Sequence, residues 1–229
     1  RVQREGKFPL GPVGAKIWDT LGEELATLEQ AITELPGGKD SALEVEARFL
    51  DFPEIGVRLG GSIRHLRGSD AGPTGMLLVR PGRIRSVDIA RIALERALLP
   101  PSQAARPSAS VLGFGEGRAV VCYTLAEFAN EREWIEKLLG WYMRGMRQPV
   151  HAFPNCAQAF AEAWVKGKGA SPSQAAEKAW LEGEYPEGID AFNALISRHR
   201  GEAVLDEQFE AFASEVYVPL HRMLAKVKS

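Results

Sequence analysis

Seven arginines lie between residues 58 and 91, where only two acidic residues accompany them. The whole chain has a net charge of -2, so this arginine block is a local excess of positive charge. Guanidinium groups stay charged at any working pH and bind phosphate or carboxylate groups bidentately. The block therefore predicts contact with nucleic-acid backbone or with an acidic partner, and a solvated surface is the alternative. Its members are Arg58, Arg64, Arg67, Arg80, Arg83, Arg85 and Arg91.

Other residue types that do chemistry form weaker patterns. The four histidines, at positions 65, 151, 199 and 221, are scattered, and no pair has the spacing of a local zinc motif, so we expect no metal site. The glycine-rich segment 113–117 lies between two predicted strands and lacks a following Lys-Ser or Lys-Thr pair. It predicts a hairpin turn rather than a phosphate-binding loop.

An acidic segment and a set of aromatic residues are further candidates. The carboxylates of residues 182–190 could hold a divalent cation, but the interleaved glycines and proline favour a solvated loop between helices. The aromatic residues fall on predicted helices, where core or interface positions are more common than base-stacking platforms. An exposed pair would favour a protein partner. These residues are Trp134, Trp141, Tyr142, Trp164 and Trp180.

Strands and one helix would position the arginine block. Apolar spacing predicts a helix over 12–34, followed by a hairpin of strands over 43–52 and 55–66. The second strand alternates apolar residues with Arg58, Ser62 and Arg64, so one face is cationic. A further strand over 75–83 delivers arginines to its end with no acidic residue nearby.

A second group of elements follows that strand. We expect Ser86 to cap a helix to about Leu99, with Asp88 in its first turn. Residues 110–114 and 119–123 predict a second hairpin. Beyond it we expect helices throughout, beginning with a capping box at Thr124-Leu-Ala-Glu127. Further starts are predicted at Asn155, at Ser171 and at Asp206, with a kink at Pro219 in the last helix.

The composition limits the class of protein. With 229 residues, 45% hydrophobic and 25% charged, the chain is typical of a globular protein. No apolar run has the length of a membrane span, and no leader pattern opens the chain, so we expect a cytoplasmic protein. Two isolated cysteines, Cys122 and Cys156, fit reduced core thiols. The first residue is Arg1, which favours a fragment of a longer chain.

Several ordered segments together resemble a known family. The segments are "LGPVG" (10–14), "GGSIRHL" (60–66), "LLVRPGRIRSVDIARIALERAL" (77–98), "QPVHAFPNCAQAFAEAW" (148–164), "AAEKAWLEG" (175–183) and "FASEVYVPLHRML" (212–224). In this order they resemble the carboxyl-terminal domain of the gamma subunit of exodeoxyribonuclease V, RecC. No single segment is as specific as a metal signature, but the set covers nearly the whole chain.

The resemblance implies a fold. That domain is related to the PD-(D/E)xK nucleases, an α/β fold with a restriction-endonuclease-like mixed sheet flanked by helices. We therefore expect an α/β core over residues 1–123 and a helical completion of the same domain over 124–229. In active relatives, an acid on one strand and an Asp-Tyr-Lys-like segment on the next hold Mg²⁺ and orient the attacking water. The resemblance aligns Arg64 and Leu78 with the two acids and Arg80 with the lysine.

The resemblance also implies a role. With both acids replaced, the domain is expected to be non-catalytic and to need no cofactor, while RecB-like and RecD-like subunits supply ATP hydrolysis and Mg²⁺-dependent cleavage. It would scaffold that complex and contact duplex ends and single strands of DNA. No membrane is an expected partner. The expected DNA contacts are Arg58, Arg64, Arg67, Arg80, Arg83 and Arg85. The alternatives are a docking module without DNA contact and an active nuclease with displaced acids, for which Asp70 or Asp88 are candidates.

Overall fold

A mixed β-sheet with helices on both faces forms the centre of the protein. The computed structural model describes residues 11–43, 45–70, 72–99, 107–126, 130–167, 169, 171–182, 186–197 and 204–227. In these ranges the elements are α1 (Pro12–Glu34), β1 (Ser41–Ala42), β2 (Val45–Phe52), β3 (Val57–Ile63), β4 (Leu66–Ser69), β5 (Gly72–Arg83), α2 (Ser86–Ala97), β6 (Ala109–Phe114), β7 (Val120–Leu125), α3 (Glu131–Gly145), α4 (Pro154–Lys166), α5 (Pro172–Leu181), α6 (Ala191–Ser197), α7 (Glu207–Phe212), α8 (Val218–Arg222) and β8 (Leu224–Val227).

The main sheet has the strand order β1-β4-β5-β6-β7-β8. Only the β5–β6 pair is parallel among the described strands, and its register matches Met76 with Ala109. Two parallel strands need a crossover connection, and α2 lies in that connection. This arrangement confirms the predicted α/β class, a mixed sheet flanked by helices, and is compatible with a restriction-endonuclease-like core.

Strand β5 is buried on both faces. Met76 and Leu78 face the large core that α2 and the carboxyl-terminal helices complete. Leu77 faces a smaller core that includes Leu28 of α1. Because neither face meets water, the strand is a continuous apolar run over its buried part rather than an alternating one. The predicted strand over 75–83 is confirmed.

Helix α1 has the predicted bounds but packs on the sheet over only part of its length. Leu28 is buried, whereas Val13 is 63% exposed and Leu25 is 49% exposed. The amphipathic spacing therefore predicted the helix correctly, but about half of its apolar stripe lacks cover from the described residues.

Strands β2 and β3 form a separate antiparallel hairpin in which Phe52 pairs with Val57. Ile63 and Phe52 are buried in the large core, while Arg58 is exposed. The predicted hairpin and its alternation of an apolar and a cationic face are confirmed, but the strand predicted over 55–66 is divided, because β3 ends at Ile63 and Leu66 begins β4 of the main sheet.

Helix α2 carries two adjacent buried charged residues, Glu95 and Arg96, which bind two different parts of the sheet. Glu95 Oε2 accepts hydrogen bonds from the backbone N–H groups of Arg64 at 3.0 Å and His65 at 3.3 Å. The Glu95 carboxylate also lies 2.9 Å from His65 Nδ1. Arg96 donates to the carbonyl oxygens of Leu125 at 3.0 Å and Ala126 at 2.9 Å. Glu95 thus fixes the β3–β4 junction, and Arg96 fixes the end of β7.

A long-range helix cap joins the connection between α5 and α6 to the start of α4. Glu187 accepts hydrogen bonds from the backbone N–H groups of Asn155 at 3.0 Å and Cys156 at 2.9 Å, in the first turn of α4. A carboxylate is favourable there because the first N–H groups of a helix have no partners within the helix. Asp190 likewise accepts from Phe192 N–H at the start of α6. The prediction of a solvated acidic loop is wrong for Glu187, which is buried, and Glu184 lies outside the described residues.

Two predictions for the second half are wrong. Thr124 does not open a helix, because β7 continues to Leu125 and pairs with β6 and with β8. The following helix begins only at Glu131, and Glu127 of the expected capping box lies outside the described residues. The last helix is followed by β8, a strand at the edge of the sheet, so the region is not helical throughout. Pairing with distant strands outweighed the local helix signal in both places.

The remaining helix starts are close to their predicted positions. Ser171 caps α5 through its hydroxyl, and Asp206 caps α7 by accepting from two N–H groups, as predicted. The expected caps Ser86 and Asn155 instead lie inside their helices, in the first turn. The last helix is interrupted by a π-helical turn, Ala213–Tyr217, just before Pro219, which confirms the predicted irregularity. No described helix has the length and apolar character needed to cross a membrane.

The contacts of Glu95 predict a pH-dependent contribution to stability. Burial raises the pKa of Glu95, but the hydrogen bonds from His65 and Arg64 outweigh it and lower the pKa below the ordinary value of 4.5. The contribution is therefore complete above about pH 4.5 and is lost as the pH falls through the lowered pKa. Glu95→Gln should lower the free energy of unfolding by about 1–3 kcal/mol at pH 7, and the deficit should shrink as the pH falls below 4.5.

Denaturant titrations between pH 7 and pH 3 measure this difference. Glu177→Gln, at an exposed glutamate of α5, is the matched control and should change the stability little at any pH. A Glu95→Gln deficit that stays constant over this range would contradict the assignment.

Candidate nucleic-acid interface

The three positions aligned with nuclease residues lie together at one end of β4 and β5. Leu66 pairs with Met76, and Leu77 N–H donates to the His65 carbonyl oxygen at 2.8 Å. Arg64 lies between β3 and β4, beside this pairing, and Leu78 follows Leu77 on β5. Arg80 follows two residues later on the same strand, so its Cβ lies on the same face as Leu78. The chemistry of these three side chains decides what this end of the sheet can bind.

Leu78 contributes apolar surface to this location. It is 5% exposed and belongs to the large core that includes Ile89 and Ile92 of α2. A leucine side chain has no lone pair for a cation. The position therefore serves packing between β5 and α2.

Arg80 is ion-paired with Asp88 of α2. Its Nη1 lies 3.2 Å from Asp88 Oδ2, and Asp88 is 5% exposed. The same carboxylate accepts a hydrogen bond from Arg85 N–H at 3.0 Å, at the start of the helix. The expectation of no acidic residue nearby is wrong for Arg80, because the turn after β5 brings Asp88 back to it. Arg80 Nε is buried and has no hydrogen-bond partner among the residues that the structure describes.

Glu95 lies beneath Arg64 and is the residue that sequence reasoning missed. Its carboxylate binds the backbone N–H groups of Arg64 and His65. The sequence did contain a signal next to Glu95. The i, i+3, i+7 spacing of a buried helix face is present at Ile89, Ile92 and Arg96. A charged residue on such a face indicates a buried polar contact.

The acidic groups near this location are occupied by hydrogen bonds. Asp88 binds Arg80 and the Arg85 N–H group, and Glu95 binds His65 and two backbone N–H groups. Asp70 is exposed at the turn between β4 and β5. Across the described ranges, no three His, Cys, Asp or Glu side chains form a group suited to a metal ion.

The six arginines predicted to contact DNA differ in their environment. Arg58 lies on the β2–β3 hairpin, where its Nε contacts Asp51 Oδ1 at 2.6 Å and lowers the pKa of that carboxyl group. Arg67 donates to the Asp40 carbonyl oxygen at 3.3 Å and lies against the connection between α1 and β1. Arg83, the last residue of β5, and Arg85, just beyond it, are exposed. The structure therefore distributes these arginines over several elements.

Three of the six have no carboxylate within ion-pair distance among the described residues: Arg64, Arg67 and Arg85. Arg64 is exposed, and its Nε donates to Ser62 Oγ at 3.3 Å. Arg58 and Arg80, by contrast, have partly compensated charges. The uncompensated arginines retain the greatest capacity to bind an anionic ligand.

The helical aromatic residues divide into core and surface positions. Trp134 and Trp141 are buried, and Trp134 Nε1 donates to the Val216 carbonyl oxygen at 2.9 Å. Tyr142 is 62% exposed and Trp164 is 49% exposed. The first pair matches the prediction of core positions, and the second leaves aromatic surface open to a partner.

Comparison with known proteins identifies one family. A family model described as the RecC C-terminal domain matches residues 1–164, from the amino terminus to the last turns of α4. No curated protein matches the chain. The matched region contains α1, the β2–β3 hairpin, β5 with its arginines and α2. Since the model spans more than half of the 229 residues, the chain belongs to the RecC C-terminal domain family.

Proposed function

We propose that this chain is a non-catalytic part of an exodeoxyribonuclease V (RecBCD) complex that contacts DNA during the processing of double-strand ends. Membership of the RecC C-terminal domain family supports a gamma-subunit role in DNA repair and recombination. In this role the chain scaffolds RecB-like and RecD-like subunits, which hydrolyse ATP and cleave DNA. The chain itself binds duplex ends and single strands by their phosphates.

The burial of Leu78 is the observation that carries the non-catalytic assignment. Metal-dependent cleavage needs carboxylates that position a cation and an attacking water. Leu78 instead packs into the core, and the neighbouring Asp88 is bound by Arg80. A fixed guanidinium at Arg64 or Arg80 also repels a divalent cation. These features support a nuclease-like sheet whose aligned positions form apolar contacts and ion pairs and do not bind a metal ion.

The uncompensated arginines support contact with phosphates. Phosphate contacts position a protein on nucleic acid without reading sequence, and they suit exposed guanidinium groups. Arg64 and Arg85 are exposed and have no carboxylate partner in the described part of the chain. Arg67 is half-buried and also has no carboxylate partner there. In this proposal they contribute most of the affinity. Arg58, Arg80 and Arg83 extend the same surface.

A docking module without DNA contact is the second candidate. The exposed Tyr142 and Trp164 and the uncovered apolar residues of α1 favour it, because such surface is used by protein partners. In that case the arginines meet acidic loops of other subunits. An active nuclease with displaced acids requires Asp70 or Asp88 to act as a metal ligand.

Charge reversal distinguishes DNA contact from docking. Arg64→Glu, Arg67→Glu and Arg85→Glu together, in the assembled complex, should weaken binding to a duplex end by at least about tenfold at low salt. The slope of log affinity against log salt is negative, and its magnitude should fall by about three, close to one for each arginine that no longer binds a phosphate. Fluorescence anisotropy with a labelled duplex end at several salt concentrations measures both quantities.

The matched control reverses three exposed lysines outside the arginine block: Lys16→Glu, Lys166→Glu and Lys178→Glu. It makes the same change in net charge and should leave the salt slope within about one of the unmodified complex. Unchanged end affinity in the Arg64, Arg67 and Arg85 variant would favour the docking module.

The non-catalytic assignment predicts that the chain does not cleave DNA with Mg²⁺ or Mn²⁺. Incubation of the purified chain with linear single-stranded and duplex DNA, with and without EDTA, measures this on denaturing gels. Asp70→Asn and Asp88→Asn are the informative variants. Metal-dependent cleavage that either variant abolishes would replace this assignment with an active nuclease.

A further inference from the structure

A groove lies between the carboxyl-terminal end of α3 and the turn of the β2–β3 hairpin. Its volume is about 490 Å³, which is enough for one or two inserted side chains. The groove is distant in sequence from the arginine block, apart from its hairpin wall. Its lining residues are Ile55, Gly140, Met143, Arg144, Arg147 and Gln148.

Two arginines give the groove an uncompensated positive charge. Arg144 and Arg147 are exposed, and neither has a carboxylate within ion-pair distance in the ranges that the structure describes. The Arg144 guanidinium lies over the Trp141 ring, 4.4 Å from its centroid. Trp141 is buried, and its Nε1 donates to Glu215 Oε2 at 2.8 Å. A fixed ring thus orients Arg144 while leaving its N–H groups available to an acidic ligand.

Apolar residues border these arginines and favour a protein ligand. Met143 lies beside Arg144 on α3 and is half-buried, and Ile55 at the opposite wall is 40% exposed. Methionine and arginine are enriched in protein–protein interfaces, and methionine adapts its shape to an inserted side chain. Methionine and isoleucine offer no hydrogen bond to a sugar-phosphate backbone. The combination favours an acidic protein segment with an apolar anchor over nucleic acid.

Gly140 is the third observation. It lies in the interior of α3, where glycine lowers helix stability relative to alanine. A Cβ atom at this position would meet no atom within 4 Å, so packing within the described part of the chain does not require glycine. Close approach of a ligand backbone to the helix does require a residue without a side chain at position 140.

We propose that this groove binds an acidic segment of another subunit of the complex. An apolar side chain of that segment inserts between Ile55 and Met143, and its carboxylates bind Arg144 and Arg147. Its backbone passes over Gly140. The inference rests on the proposed function only in that the chain works within a multisubunit assembly, and it does not depend on DNA contact by the arginine block.

Photo-crosslinking in the assembled complex identifies the ligand. With benzoylphenylalanine in place of Gln148, an exposed residue of the groove, irradiation followed by mass spectrometry should yield an adduct to a segment of another subunit that contains acidic residues beside an apolar one. The inference is overturned by an adduct to DNA, by an adduct to a second copy of this chain, or by no adduct.

Substitutions in the groove then test its parts by the affinity of the chain for its partner subunits. Arg144→Glu with Arg147→Glu should weaken assembly by at least about tenfold, and Lys substitutions of the acids in the crosslinked segment should restore it. Lys166→Glu with Lys178→Glu, at exposed lysines of α4 and α5, makes the same charge change elsewhere and should leave assembly unchanged.

Gly140→Ala separates binding from folding. The added methyl group should keep or raise the melting temperature of the chain, because alanine favours the helix, yet it should weaken assembly by at least about fivefold. Unchanged assembly in this variant would overturn the proposal. By contrast, unchanged DNA affinity in the Arg64, Arg67 and Arg85 variant would contradict DNA contact and would leave the groove proposal unaffected.

Discussion

The structure depends on the two adjacent opposite charges that α2 buries, Glu95 and Arg96. Neighbouring residues on a helix point about 100° apart, so the two side chains reach different parts of the molecule. Glu95 binds the β3–β4 junction, and Arg96 binds the end of β7 and Glu131 of α3. Removing Arg96 leaves the buried carboxylate of Glu131 without this partner, and removing Glu95 leaves the N–H groups of Arg64 and His65 without their acceptor; such losses cost far more than a surface ion pair contributes. The hairpin and the carboxyl-terminal helices are therefore held to the same helix.

The position of α2 also determines the chemistry at the end of β5. As the crossover between the parallel strands β5 and β6, it must return across the sheet face beside β5. Its first turn then brings Asp88 to Arg80, and its last turn brings Glu95 to the backbone beside Arg64. Both carboxylates that approach the sheet end are bound there by cationic or N–H groups. In this chain, the position of α2 beside β5 brings together the Arg80–Asp88 ion pair and the buried side chain of Leu78.

Local sequence signals predicted the elements well, and distant contacts explain the failures. The helix over 12–34, both hairpins and the caps at Ser171 and Asp206 follow from spacing or from side chains within one turn. Thr124 and β8 were missed because strand pairing joins residues about one hundred positions apart, and no local pattern records it. The pairing of Arg80 with Asp88 and the cap of α4 by Glu187 depend on how loops return to the core. Family resemblance supplied the site positions, but only the tertiary structure assigns their partners.

The distribution of paired and unpaired arginines separates stability from binding. Arg96 is buried and bound to carbonyl oxygens and a carboxylate, because an unpaired charge in the core would destabilise the fold. Arg64, Arg85, Arg144 and Arg147 are exposed without carboxylate partners in the described residues, and water solvates them at little cost. Folding therefore places no demand on those four positive charges. In a chain whose net charge is -2, these four charges remain available to anionic ligands, as proposed for phosphates at Arg64 and Arg85 and for carboxylates at Arg144 and Arg147.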